Sequence, residues 1–167
     1  KMGKKTIFNL IGPLSNPAQV KRQVIGVYDI KWMKPFAEAL KENNIIHAYI
    51  VHSEDGMDEI SPFARTNVVE LNEGKIREFS IDPKKFGINF TNKENLKGKN
   101  AGFNSEKIIE IFKGTSNEFS ASVALNTAAG LIVSGKEKDF ETAFKIASKH
   151  LSSGKVYLHL TKIQSNL

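Results

Sequence analysis

The sequence predicts an α/β fold: a mostly parallel sheet that carries an antiparallel hairpin and is flanked by helices. Three observations lead there. Ile45 to Val51 (IIHAYIV) is a nearly continuous run of apolar, β-branched and aromatic residues, the pattern of a strand covered on both faces. Gln23 to Tyr28 (QVIGVY) is a second strand candidate with a helical stripe after it, so strand, helix and strand follow within about 30 residues as a βαβ unit. From Ser105 onward the apolar period turns helical.

Taken in order, Thr6 to Ile11 reads as a short helical turn halted by Gly12-Pro13, because a residue before proline is pushed out of the helical region. Leu14-Ser15-Asn16-Pro17 reads as a loop. After the first strand, Asp29 can cap a helix whose face is Met33, Phe36, Ala37 and Leu40, spaced i, i+3, i+4 and i+7. Pro35 belongs in that helix's first turn, where its missing N–H does no harm. His52 to Pro62 is a polar turn at the carboxyl end of the second strand. Val68 to Leu71 and Ile76 to Ile81 flank Asn72-Glu73-Gly74, read as a three-residue hairpin connection. Asp82 to Lys99 looks irregular. Helices are expected over 105–113, 118–134, 139–152 and 155–164; the third is the clearest, with Asp139 as its cap, a stripe of Phe140, Ala143, Phe144, Ala147 and Leu151, and Gly154 past its end. No repeat or linker interrupts residues 1–167, which read as a single α/β domain.

Composition narrows the partners. The 167 residues carry a net charge of +6 and a pI near 9.4, but the lysines are spread along the chain and interleaved with acids, where a nucleic-acid surface needs them clustered. No stretch approaches the roughly 20 consecutive apolar residues of a membrane helix. Nucleic acid and membrane are therefore not expected partners. The absence of cysteine excludes thiolate metal sites and disulfides and fits a cytoplasmic protein. The opening at Lys1-Met2, directly into Gly-Lys-Lys-Thr-Ile-Phe, suggests a piece of a longer protein.

Several motifs can be set aside. Gly130 to Lys136 (GLIVSGK) has P-loop spacing, but Glu137 stands where Ser or Thr must reach the metal, and the segment closes a helix. His47, His52, His150 and His159 show no ligand spacing; His47 is expected on a sheet surface. Asn89-Phe90-Thr91 matches a glycosylation acceptor in a chain without secretory features.

Asp58-Glu59 is different. Adjacent carboxylates on a strand point to opposite faces, so both can serve one site only from a turn. Asp55-Gly56 and Ser61-Pro62 supply that turn at the carboxyl end of a buried strand, where open α/β sheets gather their ligands. One or two carboxylates plus phosphate oxygens suit magnesium. An exposed acidic turn with no function explains the same residues. Thr6 to Ala18 (TIFNLIGPLSNPA), with two Asn, two Pro and a Gly, implies a fixed backbone path beside a cavity, or simply a helix end and a rigid turn.

Together the two segments resemble the anthranilate phosphoribosyltransferases: TIFNLIGPLSNPA is similar to that family's signature and DGMDEISP to its acidic metal loop. QVIGVYD, VVELNEGKIREF, Phe86-Gly87-Ile88, Val123 to Ala128 and Ser153-Gly154 follow the family's order, so the likeness covers essentially the whole chain. The resemblance implies an incomplete α/β domain of the nucleoside phosphorylase and phosphoribosyltransferase kind, the C-terminal portion of a larger enzyme. It implies transfer of a phosphoribosyl group from 5-phosphoribosyl pyrophosphate to the amine of anthranilate, in tryptophan biosynthesis, by a homodimeric full-length protein. Asp58 and Glu59 would hold Mg2+, and Asn9, Gly12 and Pro13 would bind substrate; no residue is assigned proton transfer. Lys5 stands where many members have arginine. The family's helical domain, glycine-rich phosphate loop, substrate-binding lysine, asparagine and serine, and anthranilate arginine have no counterpart in residues 1–167, so the chain alone is expected to be inactive. A pyrimidine nucleoside phosphorylase-like enzyme, or a non-catalytic relative acting as a binding module, is the alternative.

Overall fold

The computed structural model describes residues 12–14 and 16–166, without the side chain of Pro13. The helical turn expected over Thr6 to Ile11 lies outside the described residues. The chain divides into two compact units, the first ending at Ile81 and the second made of Ser61–Ala64 and everything from Asp82 onward.

In the first unit, strand β1 (Arg22–Gly26) runs into Asp29, whose carboxylate accepts from the Lys31 N–H at 3.1 Å and caps a 3-10 turn, Ile30–Trp32. Helix α1 (Met33–Glu42) follows, with Pro35 in its first turn. Its buried residues are Met33, Phe36, Ala37 and Leu40, the stripe the spacing predicts. They pack on Ile25 and Val27, Ala48 and Ile50, and Val69 and Leu71, which stand on one face of the sheet. Strand β2 (His47–Ser53) begins two residues later than the apolar run. Ile45 and Ile46 instead close the joint with α1 and β1, donating to Leu40 O at 3.1 Å and Lys21 O at 2.9 Å.

Strands β3 (Thr66–Asn72) and β4 (Lys75–Ile81) complete a sheet ordered β1-β2-β3-β4. Only β1 and β2 are parallel; β2–β3 and β3–β4 are antiparallel, so the described sheet is mixed rather than mostly parallel. The link from β2 to β3 explains this. A parallel neighbour requires a crossover, usually a helix, and residues 54–65 contain none. The β3–β4 turn is also tighter than expected. Asn72 pairs with Lys75, leaving Glu73 (φ 48°) and Gly74 (φ 78°) as a two-residue turn with both centres left-handed.

The second unit is helical. Two 3-10 turns, Pro83–Phe86 and Lys93–Leu96, interrupt the irregular stretch. Helix α2 (Ala101–Phe112) starts earlier than Ser105 because Asn100 caps it, accepting from the Phe103 N–H at 2.9 Å. Helix α3 (Glu118–Val133) opens with a reciprocal Asn117–Ser120 capping box and buries Ala124, Leu125, Ala128 and Ala129. It stops at Val133 with Ser134 as its C-cap and the left-handed Gly135 (φ 77°) just beyond, so GLIVSGK is a helix terminus and not a P-loop. Helix α4 (Phe140–Ser152) is capped by Asp139 and sets Phe140 and Phe144 against Phe86, ring centres 5.5 and 5.3 Å away. Helix α5 (Lys155–Gln164) follows Gly154. Among the described residues, no helix is long and apolar enough to cross a membrane.

Candidate functional site

The carboxyl end of β1 and β2 holds the acidic turn. Its ring is closed by main-chain bonds: the Ser53 N–H donates to Met57 O and the Gly56 N–H to Ser53 O, both at 2.9 Å. The Asp55 carboxylate accepts from the Met57 N–H at 3.3 Å, and Gly56 takes φ 89°, open to glycine at little cost. The base of the turn is tied to the start of β3, with the Glu54 N–H donating to Arg65 O at 2.9 Å. Asp58 and Glu59 then stand exposed, and Ile60 is fully buried directly after them. The pair is thus presented outward from a turn anchored on both sides.

The turn lies on β1. A methyl group built on Gly26 would fall 1.5 Å from the Asp58 carbonyl oxygen and 2.6 Å from its carbonyl carbon. Val27, the next residue, donates its N–H to Val51 O at 3.0 Å and accepts at its own oxygen from His52 Nδ1 at 2.8 Å. A carbonyl only accepts, so Nδ1 carries the proton. Nearby, the hydrogen bond from the Lys31 side chain, helped by the Lys31 N–H, holds the Asp29 carboxyl below the usual carboxylate range, with a smaller contribution from His52.

Two neighbouring carboxylates on such a turn match a hydrated divalent cation that takes its other ligands from water and phosphate. Among the described residues, no group of three or more His, Asp or Glu is arranged to hold a metal by protein ligands alone. The donor set fits magnesium shared with a phosphorylated molecule, and not a closed protein cage.

Asn9 lies outside the described residues. Gly12 is exposed and, with Pro13 and Leu14, forms a 3-10 turn. Leu14 borders a cleft of about 240 Å³ with Asn16, Gln19, Lys21, Gln23 and Ile45. Lys21 precedes β1 and Ile45 precedes β2, so this cleft sits at the amino end of the parallel pair, opposite the acidic turn.

Gly26 and His52 are site residues the sequence reading passed over. An isolated glycine within a strand pattern signals close approach of another backbone, and QVIGVY carried that signal. Also unforeseen is Glu70, 1% exposed on the face of the sheet away from α1. His47 Nε2 contacts its Oε1 at 2.7 Å, and Arg77 Nε donates to its Oε2. Burial, reinforced by Glu70, pushes the neighbouring Tyr49 phenol well up.

The chain matches the family model described as the glycosyl transferase family, a/b domain, over residues 1–157. It is 56% identical over 165 residues to an anthranilate phosphoribosyltransferase of Pelagibacter ubique, covering 99% of this chain and 50% of that protein. It is 42% identical over 163 residues to one of Caldanaerobacter subterraneus, covering 98% and 48%. The crystal structure of an anthranilate phosphoribosyltransferase from Thermus thermophilus superposes with a TM-score of 0.83 at 33% identity, covering 96% of this chain and 47% of that one. The enzyme from Saccharomyces cerevisiae in complex with PRPP and Mg shares the fold, with a TM-score of 0.83 at 23% identity over 95% and 46%. The chain spans about half the length of the curated relatives it matches.

Proposed function

We propose, on the premise that this chain belongs to the glycosyl transferase family through its a/b domain, that it forms the metal-binding half of an anthranilate phosphoribosyltransferase. In that reaction the amine of anthranilate forms a bond to the anomeric carbon of 5-phosphoribosyl pyrophosphate, the bond from that carbon to the pyrophosphate oxygen breaks, and pyrophosphate leaves. The observation that carries the reading is the outward presentation of Asp58 and Glu59 from the turn seated on Gly26. The identity to relatives of this name supports it, as does the magnesium and PRPP complex of the yeast enzyme.

Under this reading Asp58 and Glu59 would hold Mg2+, directly or through water. When bound, the ion supplies electrostatic stabilisation of the charge that gathers on the leaving oxygens. The residues of this chain orient and hold: the Ser53–Met57 ring fixes the backbone from which the two exposed carboxylates leave, and its anchorage to β3 keeps that backbone at the sheet's carboxyl edge. By the resemblance, Asn9, Gly12 and Pro13 would bind the aromatic acid. Under the same reading the remaining substrate contacts would come from the half of the relatives' length that this chain does not span. The whole protein is read as a cytoplasmic homodimer acting on small molecules in tryptophan biosynthesis.

The test is a steady-state rate measurement across a magnesium titration on the whole protein, with Asp58→Asn and Glu59→Gln combined. A loss in kcat of about 100-fold or more is expected if the pair supports transition-state charge. Unchanged rates at every magnesium concentration would refute the metal role.

A further inference from the structure

We infer that Gly26 is a positioning residue for the metal turn: its missing side chain is the seat on which the main chain of Asp58 rests. The inference rests on the magnesium reading of Asp58 and Glu59. In a strand, each second residue stands on the same face, so Arg22, Val24 and Gly26 share one face of β1, beside His47, Tyr49 and Val51 on β2. At Gly26 the place of a side chain is taken by Asp58, whose carbonyl oxygen would lie 1.5 Å from a Cβ. Real Cβ contacts do not fall below 3.0 Å, so a methyl group there forces a shift of about 1.5 Å (3.0 minus 1.5).

Backbone conformation does not explain this glycine. Gly26 is absent from the residues with positive φ, unlike Gly56 and Gly74, so its torsions suit any residue and only the space demands glycine. The shift also has nowhere else to go. Met57, one residue before Asp58, is tied to the Ser53 N–H, and Ile60, one residue after Glu59, is fully buried. The obstructing atoms are main-chain atoms, which cannot rotate aside as a side chain can. Displacement therefore falls on the two carboxylates themselves. A misplacement of about 1 Å in a positioned site costs on the order of 100-fold in function.

The experiment uses the 15N-labelled chain titrated with Mn2+ alone, read by paramagnetic broadening of backbone amides, with cross-strand NOEs between β2 and β3 as the record of the fold. Wild type is expected to lose the Asp58 and Glu59 amide signals first. Gly26→Ala is expected to need more than about 10-fold higher Mn2+ for the same loss, with β2–β3 NOEs intact. Val24→Ala, on the same face one pleat earlier, is expected to behave as wild type. If wild type shows no selective broadening at the turn, the magnesium reading falls, and this inference with it. If wild type broadens and Gly26→Ala broadens equally, the inference alone is overturned. If Gly26→Ala loses the β2–β3 NOEs, the glycine serves the sheet as a whole, and the positioning role is likewise overturned.

Discussion

His47 Nε2 lies 2.7 Å from Glu70 Oε1 inside the sheet, and Arg77 Nε donates to the other carboxylate oxygen. Glu70 is 1% exposed, so it left water almost completely when the sheet formed. Removing Glu70 leaves the buried His47 Nε2 without its partner, while Arg77, 70% exposed, returns to water. Glu70→Ala should therefore cost about 2 kcal/mol in urea unfolding. Glu78→Ala is the comparison. Glu78 pairs with Lys34 at 2.9 Å, but the side chains are 57% and 65% exposed, and solvent screens them. Its loss should stay within about 0.5 kcal/mol. Equal costs for the two would show that burial of Glu70 contributes nothing.

The two-residue turn between β3 and β4 offers a stabilising change. Glu73 takes φ 48° with a full side chain, a conformation that asparagine adopts more readily. The bond from the Glu73 N–H to Ile46 O at 2.8 Å uses only main chain and survives substitution. Glu73→Asn should raise stability by about 0.5 kcal/mol, and Gly74→Ala, at φ 78° with open space around it, should lower it by about 1 kcal/mol. A thermal melt showing Glu73→Asn below wild type would contradict the turn assignment.

Some of this was legible in the sequence because period reports burial: Met33, Phe36, Ala37 and Leu40 lie on the buried face of α1, and α3 ends within one residue of its expected bounds. The direction of β3 was not legible. An apolar run says that a strand is covered, not which way its neighbour runs; that depends on whether residues 54–65 cross over the sheet or fold back, and their composition allows either. Glu70, inside VVELNEG, looks like any acid near a hairpin. Its partners come from the β2–β3 and β3–β4 registers, which set it opposite Tyr49 and Arg77. For the candidate site, the turn that carries Asp58 and Glu59 was readable from Asp55-Gly56 and Ser61-Pro62, while its seat on Gly26 arises from a contact between residues distant in the chain.

The cap of α4 sets a pH dependence. The Asp139 carboxylate accepts from the Thr142 hydroxyl and the Thr142 N–H, each at 2.7 Å. Those bonds, the hydroxyl's first, hold its pKa below the ordinary 3.8. A carboxyl depressed in the folded state favours folding above its unfolded value, and that share is lost as pH falls through the lower folded value. Asp139→Ala should therefore melt below wild type at pH 7, with the gap narrowing only under about pH 4. Asp139→Asn, which also caps well, should stay near wild type at neutral pH. A gap for Asp139→Ala that is constant from pH 7 to pH 3 would sink this account of the cap.

The acidic pair itself should matter little to folding. Asp58 meets Gly26 through its main chain, and both carboxylates are exposed, so Asp58→Asn with Glu59→Gln leaves the seat and the Ser53–Met57 ring in place. Exposed substitutions of this kind change stability by about 0.5 kcal/mol or less. Magnesium separates the two proteins, since a ligand that binds only the folded state raises the melting temperature with its concentration. Wild type should melt at rising temperature along a magnesium titration, while the double variant stays flat from the same starting point. Two parallel rising curves would place the ion elsewhere on the molecule, and a double variant already unfolded at room temperature would mean that the pair holds the fold and not a ligand.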